Sequence, residues 1–312
     1  MPRLSQDRCA GPAASHYVLR KGRLVEPHIV DGIPTHLRNV RIYMDRPEFV
    51  LNPTSCEPTS TASTVLGSGL DFTSEADDNP VTASSPFQAA DCAALGFKPK
   101  LSLSLKGGTK RSQVPAFRAV LKARPGDANI AGAEVILPPS EILEQGHIET
   151  VCTRVQFNEG NGNGEHCPAR SVYGRARAVT PLLSEALEGP VFLRSNGGER
   201  NLPDLVAALH GQEINIDLVG YVDSVREKNS HGELISRIRN RFAVVPDAPV
   251  TKFVLEMSGG KKGLLVNNTN VCKGVHKANA NFTAHNGKID DFTPALKAQC
   301  PKKGAGKKKR RG

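Results

Sequence analysis

The 312-residue sequence contains no tryptophan and only four tyrosines, and aromatic residues make up 5% of it. Carbohydrate-binding faces and grooves for single-stranded nucleic acid usually rely on aromatic side chains against which rings and bases stack. The composition therefore disfavours both binding classes, and we expect no nucleic-acid partner.

Long apolar runs are absent as well. No stretch approaches the roughly 18 apolar residues that a membrane-spanning helix needs, so none is predicted. The segment Met1 to Arg8 lacks the apolar core of a secretory signal peptide. Taken alone, that feature indicates a cytoplasmic protein, whereas the cysteines indicate the opposite.

None of the seven cysteines belongs to a C-x-x-C pair, which removes the strongest signal for a zinc ribbon or a redox motif. Six of them could pair in many ways, but proximity along the chain and the repeat described below favour three local bridges, Cys56–Cys92, Cys152–Cys167 and Cys272–Cys300. Such bridges persist in oxidising compartments. We therefore expect an extracytoplasmic protein, secreted or on the cell surface, whose export signal is missing from this chain.

Cys9 is left without a neighbour to pair with. In a chain without a signal peptide, an odd cysteine so near the start leads us to expect that Met1 is an artefactual start or a truncation point. The alternative is a free thiol in a cytosolic protein.

The net charge of +10 is concentrated at one end of the chain, because the last eleven residues hold seven lysines or arginines. Without those seven, the remaining chain carries only +3. Residues 301–312 cannot bury apolar surface, so we expect a disordered basic tail. It either solubilises the chain or attracts a polyanion such as an anionic cell-envelope polymer, through Lys307, Lys308, Lys309, Arg310 and Arg311.

Two segments share one pattern: proline, an apolar strand ending in methionine, a turn, a second apolar strand, Asn-x-Thr and cysteine. They span residues 32–56 and 245–272. We interpret them as the same part of a repeated module. Residues 1–95 are then the C-terminal part of a truncated module, residues 96–300 form a complete module or a pair of sandwiches, and residues 301–312 are the tail.

Apolar residues alternate with polar ones along several segments of the complete module, as in strands with one face on a core. The clearest examples are Leu101–Leu105, Phe117–Leu121 and Ile214–Leu218, and further apolar runs occur at Val135–Leu137, Val191–Leu193, Phe242–Val245 and Phe253–Leu255. Glycine-rich turns separate them. We therefore predict an all-β fold of β-sandwich modules, immunoglobulin-like in character. One or two short helices are predicted, at Leu202–Leu209 and at Thr180–Leu187.

A further set of short motifs resembles large secreted repeat proteins of actinobacteria, which are β-rich and have no known activity. The motifs are Arg124–Ile130, Leu137–Pro138, His147–Cys152, Cys167–Pro168, Thr180–Leu183, Gly189–Leu193 and Leu202–Val206. The resemblance covers most of residues 30–300 and implies an exported β-rich protein. It implies no catalytic residues.

Three segments carry residues that could bind an ion. His147, Cys152, His166 and Cys167 are zinc-type ligands, although the adjacent pair could not easily reach one tetrahedral ion. The loop Glu159–Glu165 alternates glycine with polar residues but offers few carboxylates for calcium. The turn Ser258–Gly263 lacks the spacing of a phosphate loop, although it could present Lys261 and Lys262 to an anion.

No catalytic set, metal site or cofactor site is predicted. The sequence contains no G-x-S-x-G motif, and its histidines are scattered. The leading hypothesis is a non-enzymatic structural or adhesive module whose partner is another surface protein. The alternatives are a binding module for anionic envelope polymer that uses the basic tail, and an envelope-acting hydrolase whose site only the fold assembles.

Overall fold

The computed structural model describes residues 51–65, 81–160, 162–228 and 232–300, together with four short strands before residue 35. Most of the first repeat segment lies outside the described residues, as do Cys9 and the whole basic tail. No helix within the described ranges is long and apolar enough to cross a membrane.

The chain divides into two units. One comprises Met1–Asn52 and Glu57–Gln88, and the other comprises Pro53–Cys56 and Ala89–Gly312. In the first unit, three antiparallel hairpins pair β1 (Val18–Arg20) with β2 (Arg23–Val25), β3 (Ile29–Val30) with β4 (Ile33–Pro34), and β5 (Thr59–Val65) with β6 (Val81–Phe87). That residues 1–95 are the end of a truncated module stays a prediction.

The second unit is built on one sheet of twelve strands. In chain order these are β7 (Lys100–Lys106), β8 (Ala116–Lys122), β9 (Ile130–Ile136), β11 (Val172–Val179), β12 (Leu187–Arg194), β13 (Asp204–Gly211), β14 (Ile214–Lys228), β15 (Leu234–Phe242), β16 (Lys252–Met257), β18 (Asn279–Ala284), β19 (Ile289–Phe292) and β20 (Leu296–Ala298). A separate ribbon pairs β10 (Glu141–Leu143) with β17 (Leu265–Asn267).

The spatial order of the large sheet is β19-β18-β9-β15-β14-β13-β12-β11-β16-β8-β7-β20. Neighbours are antiparallel except β7 and β20, which run parallel. Sequential strands pair from β11 to β15, whereas β9 lies between β15 and β18, and β16 lies between β11 and β8. On both sides of the sequential strands β11–β15, the sheet is therefore extended by strands that are distant in sequence.

One face of the sheet is apolar along nearly every strand. On β7 the inward residues include Leu103 and Leu105, and on β13 they include Leu205 and Leu209, all of which join a single buried cluster. The two flanks of the sheet meet, because Leu121 of β8 packs against the cluster of β18. The sheet thus curls so that its two halves face each other across a shared core, which confirms the predicted all-β sandwich.

A short cap covers part of the outer face of the sheet. Its helix α1 (Arg154–Asn158) begins at Thr153, which forms a reciprocal capping box with Gln156. The ring of Phe157, fully buried, meets Phe192 of β12 edge to face at 5.9 Å. The Cys152–Cys167 disulfide joins this cluster and closes the cap.

Two further disulfides, Cys56–Cys92 and Cys272–Cys300, hold segments at the edges of the unit. Beside the first of them, Asp247 accepts hydrogen bonds from the Thr54 hydroxyl at 2.7 Å, from the Ser55 amide at 2.9 Å and from the Asn129 side chain at 2.8 Å. Burial would raise the pKa of Asp247, but these hydrogen bonds outweigh burial and lower that pKa. The Pro53–Cys56 segment is therefore held by one covalent bond and one ionised carboxylate.

The predicted number of short helices is confirmed by α1, but both predicted positions are wrong. Residues 202–209 enter strand β13, whose residues Leu205, Val206, Ala207, Ala208 and Leu209 are all buried. Because the core covers one side of this strand and the cap covers the other, its apolar run is continuous and satisfies helical spacing by coincidence. Thr180–Leu187 forms a turn that leads into β12.

The predicted strand Phe242–Val245 also ends early, at Phe242, because Val244 is 78% exposed and Pro246 follows. The other predicted strands contain or overlap strands of the structure, including both strands of the second repeat segment, β16 and β17. Short 3-10 turns occur at Cys92–Ala94, Gln145–His147, Ala169–Ser171 and Gly260–Lys262.

Removing the cap disulfide should destabilise the unit. For Cys152→Ala/Cys167→Ala we expect a loss of about 3 kcal/mol in the free energy of unfolding, because the loop regains conformational freedom when unfolded. Urea denaturation measures the loss, and native-state hydrogen exchange should show faster exchange at Arg154–Asn158. The control Cys272→Ala/Cys300→Ala should leave exchange in α1 unchanged. Equal acceleration of α1 in both variants would contradict a local role for the bridge.

Candidate functional site

A polar groove of about 860 Å³ crosses the outer face of strands β8, β16, β11, β12 and β13. Inward-facing residues of these strands fill the core, so alternate residues face outward. The cap covers the neighbouring part of the outer face, over β12 and β13, and leaves the groove open.

A row of charges crosses three strands of the groove. Glu256 of β16 stands opposite Arg118 of β8 on one side and Arg175 of β11 on the other. The Arg118 Nε lies 2.7 Å from a Glu256 carboxylate oxygen, and the two side chains are 47% and 57% exposed. One carboxylate therefore sits between two arginines, and only one of them is paired with it.

A second row lies two residues further along the strands. Arg177 of β11 pairs with Glu188 of β12, with its Nε 3.0 Å from the carboxylate, and His210 of β13 stands opposite Glu188. On the other side of Arg177 is Val254 of β16, which is buried although it faces outward. Apolar and charged residues therefore share the surface of the groove.

The groove carries a surplus of positive charge. Four lysine or arginine side chains and two carboxylates line it. Both carboxylates belong to ion pairs, whereas Arg175 and Lys252 have no carboxylate within ion-pair distance among the described residues. Two cations are thus available to an approaching anion.

Gly189 allows two strands of the groove to approach closely. A side-chain carbon at this position would lie 1.6 Å from the Ala208 carbonyl oxygen, which only glycine avoids. The Gly189-Pro190 pair of the sequence motif therefore sits in the wall of the groove. Gly189 thus allows the two backbones to pack closely.

The cysteines proposed above as possible zinc ligands are bonded to each other. Cys152 and Cys167 form a disulfide, and His147 Nδ1 lies 2.8 Å from the Gly263 carbonyl oxygen. Within the described ranges, no group of three or more histidine, cysteine, aspartate or glutamate side chains is placed to hold a metal. In the loop Glu159–Glu165, Gly160, Gly162 and Gly164 all have positive φ, which is typical of a turn.

The remaining predicted anion sites are the turn Ser258–Gly263 and the basic tail. Gly260–Lys262 forms a 3-10 turn in which the Lys262 ammonium lies 3.5 Å from the Ala169 and Val172 carbonyl oxygens. The basic tail residues, Lys307, Lys308, Lys309, Arg310 and Arg311, lie outside the described residues. Among the described residues, the predicted anion-binding lysines are Lys261 and Lys262, and neither of them lines the groove.

Sequence reasoning missed the groove itself. The available signal was local: Arg175 and Arg177 flank Ala176 on one strand, and Lys252 and Glu256 flank Val254 on another. Such alternation predicts outward charges. It does not reveal that these strands are neighbours or that their charges form rows.

A second cluster of polar groups is buried around the β10–β17 ribbon. Glu141 and Asn267 stand opposite each other and are 0% and 1% exposed. Within the described part of the chain, no hydrogen bond of acceptable geometry reaches the carboxylate oxygens of Glu141, the Asn267 Oδ1 or the Ser140 Oγ. Burial raises the pKa of Glu141 from its ordinary 4.5 to about 7, and the adjacent Ser140 opposes part of that rise. In the folded protein the Glu141 carboxyl is therefore mostly protonated and uncharged below about pH 7.

Comparisons with known proteins were made by sequence and by structure. No protein-family model matches this chain, and no curated protein matches it. A solved cohesin module from a Clostridium perfringens ATCC13124 family 33 glycoside hydrolase is 10% identical, with a TM-score of 0.21. The match covers 66% of this chain and 99% of that chain. We draw no conclusion from a likeness of this size.

Glu141 should make the stability depend on pH. Its folded pKa is raised, so the stabilisation is complete below the unfolded pKa of about 4.5 and is lost as the pH rises through about 7. A rise of this size corresponds to about 3 kcal/mol at pH 8. In urea denaturation, Glu141→Gln should be more stable than wild type at pH 8, with the difference vanishing near pH 4.

The matched control is the exposed Glu185→Gln, which should keep the pH dependence of wild type. Parallel stability curves for Glu141→Gln and wild type across this range would show that Glu141 is not the responsible group.

Proposed function

We propose that this chain is a non-enzymatic adhesive module of an exported protein, and that its outer groove binds an acidic segment of another surface protein. The observation that carries the proposal is the pair of cations in the groove, Arg175 and Lys252, that have no carboxylate partner among the described residues. Unmatched charge of one sign steers a partner of the opposite sign.

The chemistry of the groove supports binding over catalysis. Among the described residues, no serine, threonine or cysteine lines the groove, so none of them offers a side-chain nucleophile of that kind there. Glu188 and Glu256 lie on strands two positions apart and in different rows, which separates their Cα atoms by about 12 Å from strand spacing and rise. Each carboxylate is half exposed and neutralised by an arginine.

The pattern of charge supports a protein partner over a uniform polyanion. Glu256 lies between two arginines and Glu188 lies beside Arg177, so a polymer with a phosphate at every repeat would meet repulsion at both glutamates. A protein surface can place an acidic group opposite Arg175 and Lys252 and spare the two glutamates. Such matching of signs gives specificity.

Export is part of the proposal. Three disulfides, Cys56–Cys92, Cys152–Cys167 and Cys272–Cys300, favour an oxidising, extracytoplasmic compartment. We also propose that the chain is related to the secreted repeat proteins of actinobacteria. We propose likewise that the segments 32–56 and 245–272 are repeats of one module. Together they describe one adhesive module within a longer surface protein.

Charge reversal in the groove should weaken binding of an acidic peptide. The probe is a fluorescein-labelled deca-glutamate peptide, followed by fluorescence anisotropy at low salt. Arg175→Glu/Lys252→Glu should bind it about tenfold more weakly, because two attractions become repulsions. Wild-type binding should itself weaken as salt is raised, since exposed charges are screened.

The matched control is Arg226→Glu/Lys228→Glu, which changes the net charge equally at two exposed positions outside the groove. It should bind the peptide like wild type. A polyglycerol phosphate probe tests the alternative, in which the basic tail binds an anionic polymer. If deletion of residues 301–312 abolishes binding of both probes while the groove variant binds normally, the groove is not the binding site.

A further inference from the structure

Three lysines stand side by side on the outer face of the sheet, and we call them the lysine row. Lys252 of β16 is directly opposite Lys122 of β8, and Lys122 is directly opposite Lys100 of β7. All three face outward, because their neighbours along the chain, such as Leu121 and Phe253, pack in the core. Lys100 and Lys122 are exposed, whereas Lys252 is partly buried and also lines the groove.

The lysine row is unfavourable for the fold itself. Like charges directly opposite each other on neighbouring antiparallel strands destabilise a sheet. The middle residue, Lys122, meets such a neighbour on each side. A bound anion relieves this repulsion, because a negative charge over the row attracts all three ammonium groups.

No carboxylate of the described residues lies within ion-pair distance of the lysine row. The two acids of the groove, Glu188 and Glu256, are paired with Arg177 and Arg118. Glu256 is also four residues from Lys252 along β16, which corresponds to about 13 Å from the rise of a strand. The groove therefore leaves the row without a counter-charge.

The acids on the other side of the lysine row are paired as well. Lys98 precedes the row by two residues along the chain, and its Nζ lies 2.7 Å from an Asp290 carboxylate oxygen. Arg124 follows the row by two residues, and its guanidinium lies 2.9 Å from an Asp127 carboxylate oxygen. The row thus keeps its three positive charges between two regions in which charges are matched.

The order of charges indicates how a partner lies on this face. A segment that follows β16 from Lys252 passes Val254 and then meets Glu256. A segment that crosses the strands from Lys252 meets lysines alone, on neighbouring strands about 4.8 Å apart, over a span of about 10 Å. An acidic segment therefore avoids repulsion when it lies across β16, β8 and β7.

We propose that the acidic segment of the partner protein crosses β16, β8 and β7 with its carboxylates on the lysine row, so that the binding surface extends from the groove over Lys122 and Lys100. This inference rests on the proposed function, since the groove and the row share Lys252. The partner that fits carries at least three neighbouring acidic groups, one for each lysine. Such matching of opposite charges sets the orientation of a complex.

The test uses the same fluorescein-labelled deca-glutamate peptide, followed by fluorescence anisotropy at low salt. Lys100→Glu/Lys122→Glu should bind it about tenfold more weakly, although both unmatched cations of the groove remain. The matched control is Lys106→Glu/Lys297→Glu, which changes the net charge equally at two exposed lysines of β7 and β20 outside the row. It should bind the peptide like wild type. Equal weakening in both variants would show attraction by net charge alone and would overturn the proposal.

A single substitution separates binding from folding. Lys122→Glu places a carboxylate between two lysines, so that two repulsions become attractions. The unfolding temperature should rise by about 2–4 °C, while the peptide should bind about threefold more weakly. Binding like wild type in this variant overturns the proposal, whatever its stability.

The outcomes are distinguishable from failure of the proposed function, which Arg175→Glu/Lys252→Glu tests. If that variant loses binding and Lys100→Glu/Lys122→Glu does not, the groove stands and the extension over the lysine row is overturned. If neither variant loses binding, the proposed function fails as well. If Lys100→Glu/Lys122→Glu loses polyglycerol phosphate but keeps the peptide, the row binds an anionic polymer, and the proposal of a protein partner there is overturned.

Discussion

The large sheet has one apolar face, and removing that face from water governs the rest of the structure. No layer of helices covers it within the described residues; α1, of five residues, lies on the opposite face. The sheet therefore buries its apolar face against itself, by curling until β7 and β8 meet β18 and β9. This requirement explains why strands distant in sequence flank the sheet, and why its outer face carries charge.

The same curvature produces two surfaces with opposite chemistry. On the outer face, the cap, which the Cys152–Cys167 disulfide closes, covers the apolar part of β12 and β13. The uncovered part of that face carries rows of arginine and glutamate. Inside, bulky side chains from two curved halves do not fill the space between them completely. A polar binding face and an apolar internal space can thus coexist in one sandwich, and neither requires a catalytic group.

Covalent and ionic anchors hold the ends of this unit. Cys56–Cys92 and the carboxylate of Asp247 fix the Pro53–Cys56 segment, and Cys272–Cys300 fixes the last segment of the described chain. Glu141 works in the opposite direction, since its charge is disfavoured by burial. The balance between Asp247 and Glu141 is electrostatic and therefore responds to pH.

The sequence by itself determined the all-β class, because alternation along Leu101–Leu105 or Phe117–Leu121 is a local property with a period of two. It misread residues 202–209, because a strand covered on both sides loses that alternation and its apolar residues then also fit a helix. Strand order and register were decided only by the tertiary structure, since they depend on contacts between residues far apart in the chain. The row Arg118–Glu256–Arg175 depends on that order, so no local pattern could predict it.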